Sequence, residues 1–299
     1  MIQSDSFQEI YSLILKESIE NSQLWGKCKI QKEPITFKLL NPLRSLINHK
    51  KNWAWAFHEI INRLSFEEPT LMNPGTAHFF RPNWKRKLLK EGGTFHYSYG
   101  QSYAKQIPHV IKALRNSAGR EAILSMWEPN YLININKYDR RPCTFNLHFM
   151  RPNKVLDCHV YMRTVDIMNM LPYDVFHHTF IQRYLASVLD IELGNFYFTA
   201  SFGYYQKKRD ISHSVVNTYN KLKEKPELEI ESDWIFNDHS RIESMNMIAR
   251  LDSIPPHSAN LSLRNSAFGI NFINALESTI YEDKKYPDDF LKELRVINL

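Results

Sequence analysis

Cys143 follows Pro142 and two arginines, Arg140 and Arg141, and Arg163 falls on the next strand of a predicted hairpin. The thiolate is the nucleophilic form of cysteine, and a nearby cation brings the thiol pKa down from about 8.5 into the reactive range. A lone cysteine is more often a small buried hydrophobe, but one at a strand end beside arginines is a candidate nucleophile. Cys28 and Cys158 have no such setting and read as packing residues. A second misfit is Glu59, inside the nearly all-apolar segment 51–64 (KNWAWAFHEIINRL). A buried carboxylate is costly unless paired or hydrogen-bonded, so Glu59 needs a role. Arg163 and Asp166, in YMRTVD, read by themselves as a surface ion pair. His58, His148, His159, His177 and His178 match no metal-ligand spacing, so no metal site is expected. The stretch 204–209 (YYQKKR) reads as a solvated strand end and not as an RNA-binding tract.

These groups need a scaffold. Residues 1–22 predict an amphipathic helix, with Phe7, Ile10, Tyr11, Ile14 and Leu15 on one face and Ser6 with Glu9 as a capping box. Residues 51–64 predict a buried helix, 66–95 a proline- and glycine-rich loop region, 102–115 a helix and 122–127 a strand. In 143–150 the pattern alternates, with Cys143, Phe145, Leu147 and Phe149 on one face and Thr144, Asn146 and His148 on the other. The turn 151–154 (RPNK) then leads to a strand over 155–162. A helix over 175–189 and a strand over 195–202 follow. Residues 221–233 (KLKEKPELEIESD) read as a surface excursion or linker, and the tail from 234 carries at least two helices, one opening at Pro287. No glycine-rich phosphate loop is present. The element order points to an α+β or mixed-sheet fold and not a doubly wound one.

The chain has 299 residues, 43% of them hydrophobic and 23% charged, a composition that excludes wholesale disorder. Its net charge of +6 fits an anionic small ligand as well as nucleic acid. No apolar run is long enough for a membrane span, and the N-terminus lacks a signal-peptide pattern. Three scattered cysteines do not make a disulfide framework, so a reducing cytoplasm is the expected compartment.

Taken in order, Pro142-Cys143, MRTVD (162–166), LPYD (171–174) and G-N-F (194–196) resemble the core of thymidylate synthase, with its P-C-H-x-x-x-Q-F, Q-R-S-x-D, G-L-P-F-N and G-D-F. Upstream, HEIINRL (58–64) is similar to the family's H-E-L-L-W-F-L helix, YSYG (97–100) to P-V-Y-G, and NSAGRE (116–121) to D-P-x-S-R-R. The likeness covers roughly 40–210, and residues 210–299 show none. The resemblance implies a large mixed β-sheet with packed helices. It implies a single domain over 1–299, with 1–40 as an N-terminal helical extension and 210–299 as a divergent C-terminal part. It also implies a homodimer whose sheets pack face to face, with no nucleic-acid or membrane partner. The implied cofactor is 5,10-methylenetetrahydrofolate. By position, Cys143 would add to C6 of a pyrimidine, Glu59 would order water and relay protons, and Tyr99 would assist proton removal from C5. Arg163 would bind the 5′-phosphate and lower the thiol pKa, with Arg120 reaching a neighbouring subunit's nucleotide and Arg44 a weaker phosphate ligand. Asp166 would contact the pterin.

Departures from the family pattern redirect the substrate. The family's Asn after L-P-F, which reads O4 and N3–H of uracil, is Asp174 here. A carboxyl group accepts from the N4 amino group of cytosine and shares a proton with N3, whereas against uracil an ionised Asp174 sets lone pairs against O4. The deoxycytidylate hydroxymethylases, relatives of the synthases, carry the same substitution and also a Cys-Thr pair like Cys143-Thr144. The synthase H-x-Y that holds the 3′-hydroxyl is Tyr204-Tyr205-Gln206, a rebuilt sugar pocket that favours the ribonucleotide. Glu121 replaces the second arginine of the R-R pair, and His148 the family Gln. The expected activity is folate-dependent 5-hydroxymethylation of a cytosine nucleotide monophosphate, CMP over dCMP, with water adding to an exocyclic methylene. The alternatives are synthase-type methylation of dUMP and a non-catalytic nucleotide- or RNA-binding relic.

Overall fold

The computed structural model describes residues 1–48, 56, 99–129, 141–206 and 211–225. Apart from Ala56, which is helical and buried, the expected helix over 51–64 lies outside the described residues, as do the helices of the tail and the loop region 66–95. The chain divides into two compact units, one of Met1–Lys51 with Lys105–Ile230, the other of Asn52–Ala104 with Glu231–Leu299. No described helix is long and apolar enough to cross a membrane.

A short strand, β1 (Ile2–Ser4), leads into helix α1 (Phe7–Asn21). All five apolar positions of its expected face are buried. The capping box does not form: Ser6 has the extended dihedrals of an N-cap but no side-chain cap bond. Ser4, at the end of β1, reaches the Glu9 carboxylate first. Further along α1, Gln8 donates through Nε2 to the carbonyls of Leu222 (3.2 Å) and Lys225 (2.9 Å) and accepts through Oε1 from the backbone of Asn48 (2.7 Å).

The chain then forms β2 (Ser22–Trp25), β3 (Cys28–Gln31) and β4 (Ile35–Leu39). Gly26, at φ +57°, makes the tight turn between β2 and β3. Helix α2 spans Tyr99–Asn116 and strand β5 Ile123–Ser125. The hairpin of β6 (Thr144–Met150) and β7 (Val155–Met162) turns through Pro152–Lys154, where Asn153 and Lys154 take positive φ. After it come β8 (Val165–Asp166), helix α3 (Leu171–Leu189), β9 (Glu192–Ala200), β10 (Gly203–Gln206) and helix α4 (Ile211–Glu224). Helix α4 therefore claims the start of the charged segment expected as a linker.

Six strands form a mixed sheet in the order β1-β4-β9-β7-β6-β5, and four form a smaller one, β2-β3-β10-β8. The β1–β4 and β7–β9 pairs are parallel, the other pairs of the large sheet antiparallel. This is the α+β mixed-sheet architecture expected. Residues 1–40 are not a helical extension: β1 and β4 belong to the large sheet and β2 and β3 to the small one.

Two bulges shape the large sheet. One shifts the β6–β7 register between Thr144 and Asn146. It breaks the expected alternation, so that Thr144 is buried with Leu147 and Phe149 while Phe145 is half-buried. The other shifts the β7–β9 register between Leu156 and Cys158. There Asp157 Oδ1 accepts from the backbone N–H of Asn195 at 2.7 Å. A Cβ on Gly194 would lie 2.2 Å from that oxygen, which is why the G-N-F segment needs a glycine.

Helix α3 begins four residues before its expected start and is buried almost all round. Its Gln182 amide donates to the carbonyls of Leu156 (2.8 Å) and Asn195 (3.0 Å), fixing the helix on β7 and β9. Arg183, one residue on, is 3% exposed, and none of its three guanidinium nitrogens has a hydrogen-bond partner among the described residues. Its guanidinium carbon lies 5.3 Å from the Phe180 ring centre, and burial pushes its pKa down to about 9. An uncompensated buried charge costs about 3–5 kcal/mol. Arg183→Met, similar in reach and uncharged, is therefore expected to stabilise the protein by an amount of that order; a lower urea midpoint for the variant would contradict this.

Candidate active site

Strand pairing brings the candidate nucleophile and its cation together. Thr144 pairs with Met162, and the Arg163 N–H donates to the Cys143 carbonyl at 2.8 Å. The Arg163 side chain folds back over the segment that ends in the cysteine. Its Nε donates to the Pro142 carbonyl (3.1 Å), and Nη2 donates to the Arg141 carbonyl (3.3 Å) and lies 3.7 Å from Cys143 Sγ. Nη1 has no hydrogen bond among the described residues, which leaves one side of the guanidinium for an anion. The other side carries Trp127, whose ring centre is 5.9 Å from the guanidinium carbon.

The thiol is not an activated one at rest. Burial pushes the Cys143 pKa up, Arg163 pulls it down, and the carboxylates of Asp174 and Asp166 push it up again, leaving it above the ordinary value. The lowering expected from Arg163 is present but outweighed by desolvation. Thiolate content then grows tenfold per pH unit up to a raised pKa. The rate of Cys143 alkylation in the free protein is expected to climb with unit slope through neutral pH and to level off only above the usual thiol range. A plateau by about pH 7 would contradict it.

The same balance of charges shows that Asp174, Asp166 and Arg163 all lie within electrostatic reach of the sulfur. Asp174 sits in the first turn of α3, buried to 8% exposure, where the helix dipole favours a negative charge. Asp166 is as deeply buried, and its own loop organises it. Oδ1 accepts from the backbone N–H groups of Met168 (3.1 Å) and Asn169 (3.0 Å), and Oδ2 accepts from the Asn169 amide (2.9 Å). Tyr11 holds the loop from behind by donating to the Ile167 carbonyl at 3.0 Å. A carboxylate has about four acceptor positions, so Asp166 keeps one for an outside donor.

Tyr204 stands on β10 beside Asp166 on β8. Burial and then the charges of Asp166, Cys143 and Cys28 raise its phenol to about 12, with Arg163 opposing. Gln206 pairs with Cys28 in the β10–β3 register. Cys28, expected to be a packing residue, is half-exposed and within electrostatic reach of Tyr204. Arg120 is exposed on the turn after α2, with no hydrogen bond or ion pair among the described residues. Arg44 is half-buried at the end of a 3-10 turn (Pro42–Arg44) that Asn41 caps. Tyr99 opens α2, its ring edge-on to Tyr103 at 6.1 Å; it belongs to the second unit and Cys143 to the first. Glu59 lies outside the described residues. The structure thus gathers Cys143, Arg163, Asp166, Asp174 and Tyr204. Sequence reasoning missed Asn169 and Trp127. The spacing Asp166-x-x-Asn169 is a readable turn signal, whereas the contact of Trp127 with Arg163 is tertiary and leaves no local trace. No group of three or more potential metal ligands occurs among the described residues.

Comparison with known proteins gives one answer. The thymidylate synthase family model matches residues 26–249, further into the C-terminal part than the motifs reach. Thymidylate synthase 1 of Bacillus spizizenii is 26% identical over 167 residues, 51% of this chain and 57% of that protein. The thymidylate synthase of Bacillus phage phi3T is 25% identical over the same shares. That of Baumannia cicadellinicola is 29% identical over 99 residues, 33% of this chain and 36% of that protein. The match to the two Bacillus-related proteins thus spans little more than half of their length. Among solved structures, the thermostable thymidylate synthase A from Bacillus subtilis superposes with a TM-score of 0.61 at 20% identity, over 75% of this chain and 86% of that one, a likeness of fold.

Proposed function

The chain belongs to the thymidylate synthase family, and on that premise we propose that it is a folate-dependent transferase that hydroxymethylates C5 of a cytosine nucleotide 5′-monophosphate, CMP before dCMP. The observation that carries the base assignment is a carboxyl group, Asp174, buried within electrostatic reach of the Cys143 thiol. Cytosine presents an amino donor at C4 and an acceptor at N3. A carboxyl group at that place accepts from the one and, when protonated, donates to the other; uracil offers O4 and N3–H in the opposite sense.

The chain's own residues have distinct tasks in this reading. Cys143 adds through sulfur to C6, and the C5–C6 double bond becomes a nucleophile at C5. The open side of Arg163 takes the phosphate, which suits a guanidinium whose opposite edge is already fixed. Tyr204 bounds the sugar. The family uses 5,10-methylenetetrahydrofolate, which when bound supplies a one-carbon unit at the methylene level. The buried Asp166 carboxylate, with one acceptor position left beside the thiol, fits the N–H donors of a pterin. Once the C5 proton and the folate amine have left, water adds to the exocyclic methylene at C5 as the Cys143–C6 bond breaks, which completes a hydroxymethyl group and frees the thiolate. Family members are typically dimers, and a homodimer with Arg120 directed to the partner's nucleotide accompanies this reading.

The relatives' names favour a second reading, methylation of dUMP with Asp174 protonated. Tritium release from C5 of CMP, dCMP, UMP and dUMP, with and without the folate, separates the two. Release from cytosine nucleotides with a product carrying an added CH2OH supports the first reading. Turnover of dUMP alone replaces it, and release from none of the four leaves a binding protein without catalysis.

A further inference from the structure

We propose that Trp127 is a positioning residue for the thiol chemistry: its indole face holds the Arg163 guanidinium against the Cys143 sulfur. The inference rests on Cys143 being the nucleophile. Its geometry begins where the chain leaving β5 runs on beside β6, one rung past the Ser125–Asn146 pair, at the Phe145 carbonyl. That carbonyl accepts from the N–H groups of Met126 (2.8 Å) and Trp127 (3.3 Å), and the Ser125 hydroxyl donates to the Trp127 carbonyl (3.2 Å). The indole then packs edge-on against the Phe145 ring at 5.3 Å and 76°. The residue two positions after the nucleophile thus anchors Trp127 through both its backbone and its ring.

What the indole does follows from the fork it faces. Arg163 makes three contacts on the 141–143 segment, all from the Nε and Nη2 edge. Of these, the one to sulfur is the longest, at 3.7 Å, so it is the first to be lost when the fork shifts on its two carbonyl bonds. A guanidinium over an indole face gains both electrostatic attraction and stacking area. With its ring centre 5.9 Å from the guanidinium carbon, Trp127 limits the room the fork has to move. Without it, the cation spends less time at the sulfur, and burial together with the two aspartates goes unopposed.

The test uses the free protein, without nucleotide or folate, so its outcome does not depend on which base is the substrate. Cys143 is alkylated with iodoacetamide across about pH 6 to 10, with the label mapped to its peptide by mass, since Cys28 is also half-exposed. Trp127→Leu is expected to slow labelling at neutral pH about three- to tenfold and to move the whole profile to higher pH, with Trp127→Phe close to wild type. In an Arg163→Gln background, Trp127→Leu should add nothing. A Trp127→Leu profile superimposable on wild type overturns the inference, and so does an equal slowing at every pH by both the Leu and the Phe variant, which would mark a packing role alone. Should Trp127→Leu not fold, Trp127→Met carries the same comparison.

Discussion

Cys143→Ala is expected to lower C5 tritium release by on the order of 10⁴-fold or more while nucleotide affinity stays within about tenfold. The asymmetry follows from what the sulfur touches. Among the described residues its one polar contact is Arg163 Nη2, and that cation keeps its two backbone carbonyls when the sulfur is gone. The phosphate side of the guanidinium is therefore retained, whereas the nucleophile is not: Cys158 is fully buried, and among the described thiols only Cys143 has the Arg163 contact. Equilibrium binding of the accepted nucleotide, measured beside tritium release, checks both halves. Full activity in the variant would place the nucleophile elsewhere.

Asp174→Asn is expected to invert base preference, with kcat/KM for the cytosine nucleotide falling and that for the uracil nucleotide rising, a combined change of about 10³-fold or more. The size comes from burial. At 8% exposure, residue 174 exchanges few of its hydrogen bonds with water, so a donor facing a donor, or an acceptor an acceptor, goes uncompensated. The same substitution removes one of the two carboxylates that raise the Cys143 pKa, so the thiol profile should move to lower pH along with the change in base. Competition between paired cytosine and uracil nucleotides in a single reaction measures the ratio directly. An unchanged preference would remove the base assignment while leaving the family intact.

Much of the scaffold was legible because it depends on local periodicity. The burial of Phe7, Ile10, Tyr11, Ile14 and Leu15, the β6–β7 hairpin and its turn at 151–154 all express side-chain spacing over one or two turns of chain. What escaped needed a partner distant in sequence. Alternation alone puts Thr144 on the wrong face, because a bulge is a property of two strands and not of one. The spacing pairs Glu9 with Ser6, because nothing in it announces Ser4 as a competitor. At the site, motif order located Cys143, Arg163, Asp166 and Asp174, but the protonated resting thiol could not be read from the arginines around it. Desolvation is a sum over everything packed nearby, and it outweighs the one cation that the sequence makes visible.

The side chain of Gln8 has a further consequence. One amide group engages both the chain at Asn48 and the end of α4 at Leu222 and Lys225, segments separated by more than half of the sequence. Neither can fray without surrendering bonds that the other relies on, so slow hydrogen exchange at the Asn48 amide and persistence of the last turn of α4 become one cooperative event. A glutamine in the second position of the first helix thus acts as a latch, and local melting there would register at two distant places in the sequence at once.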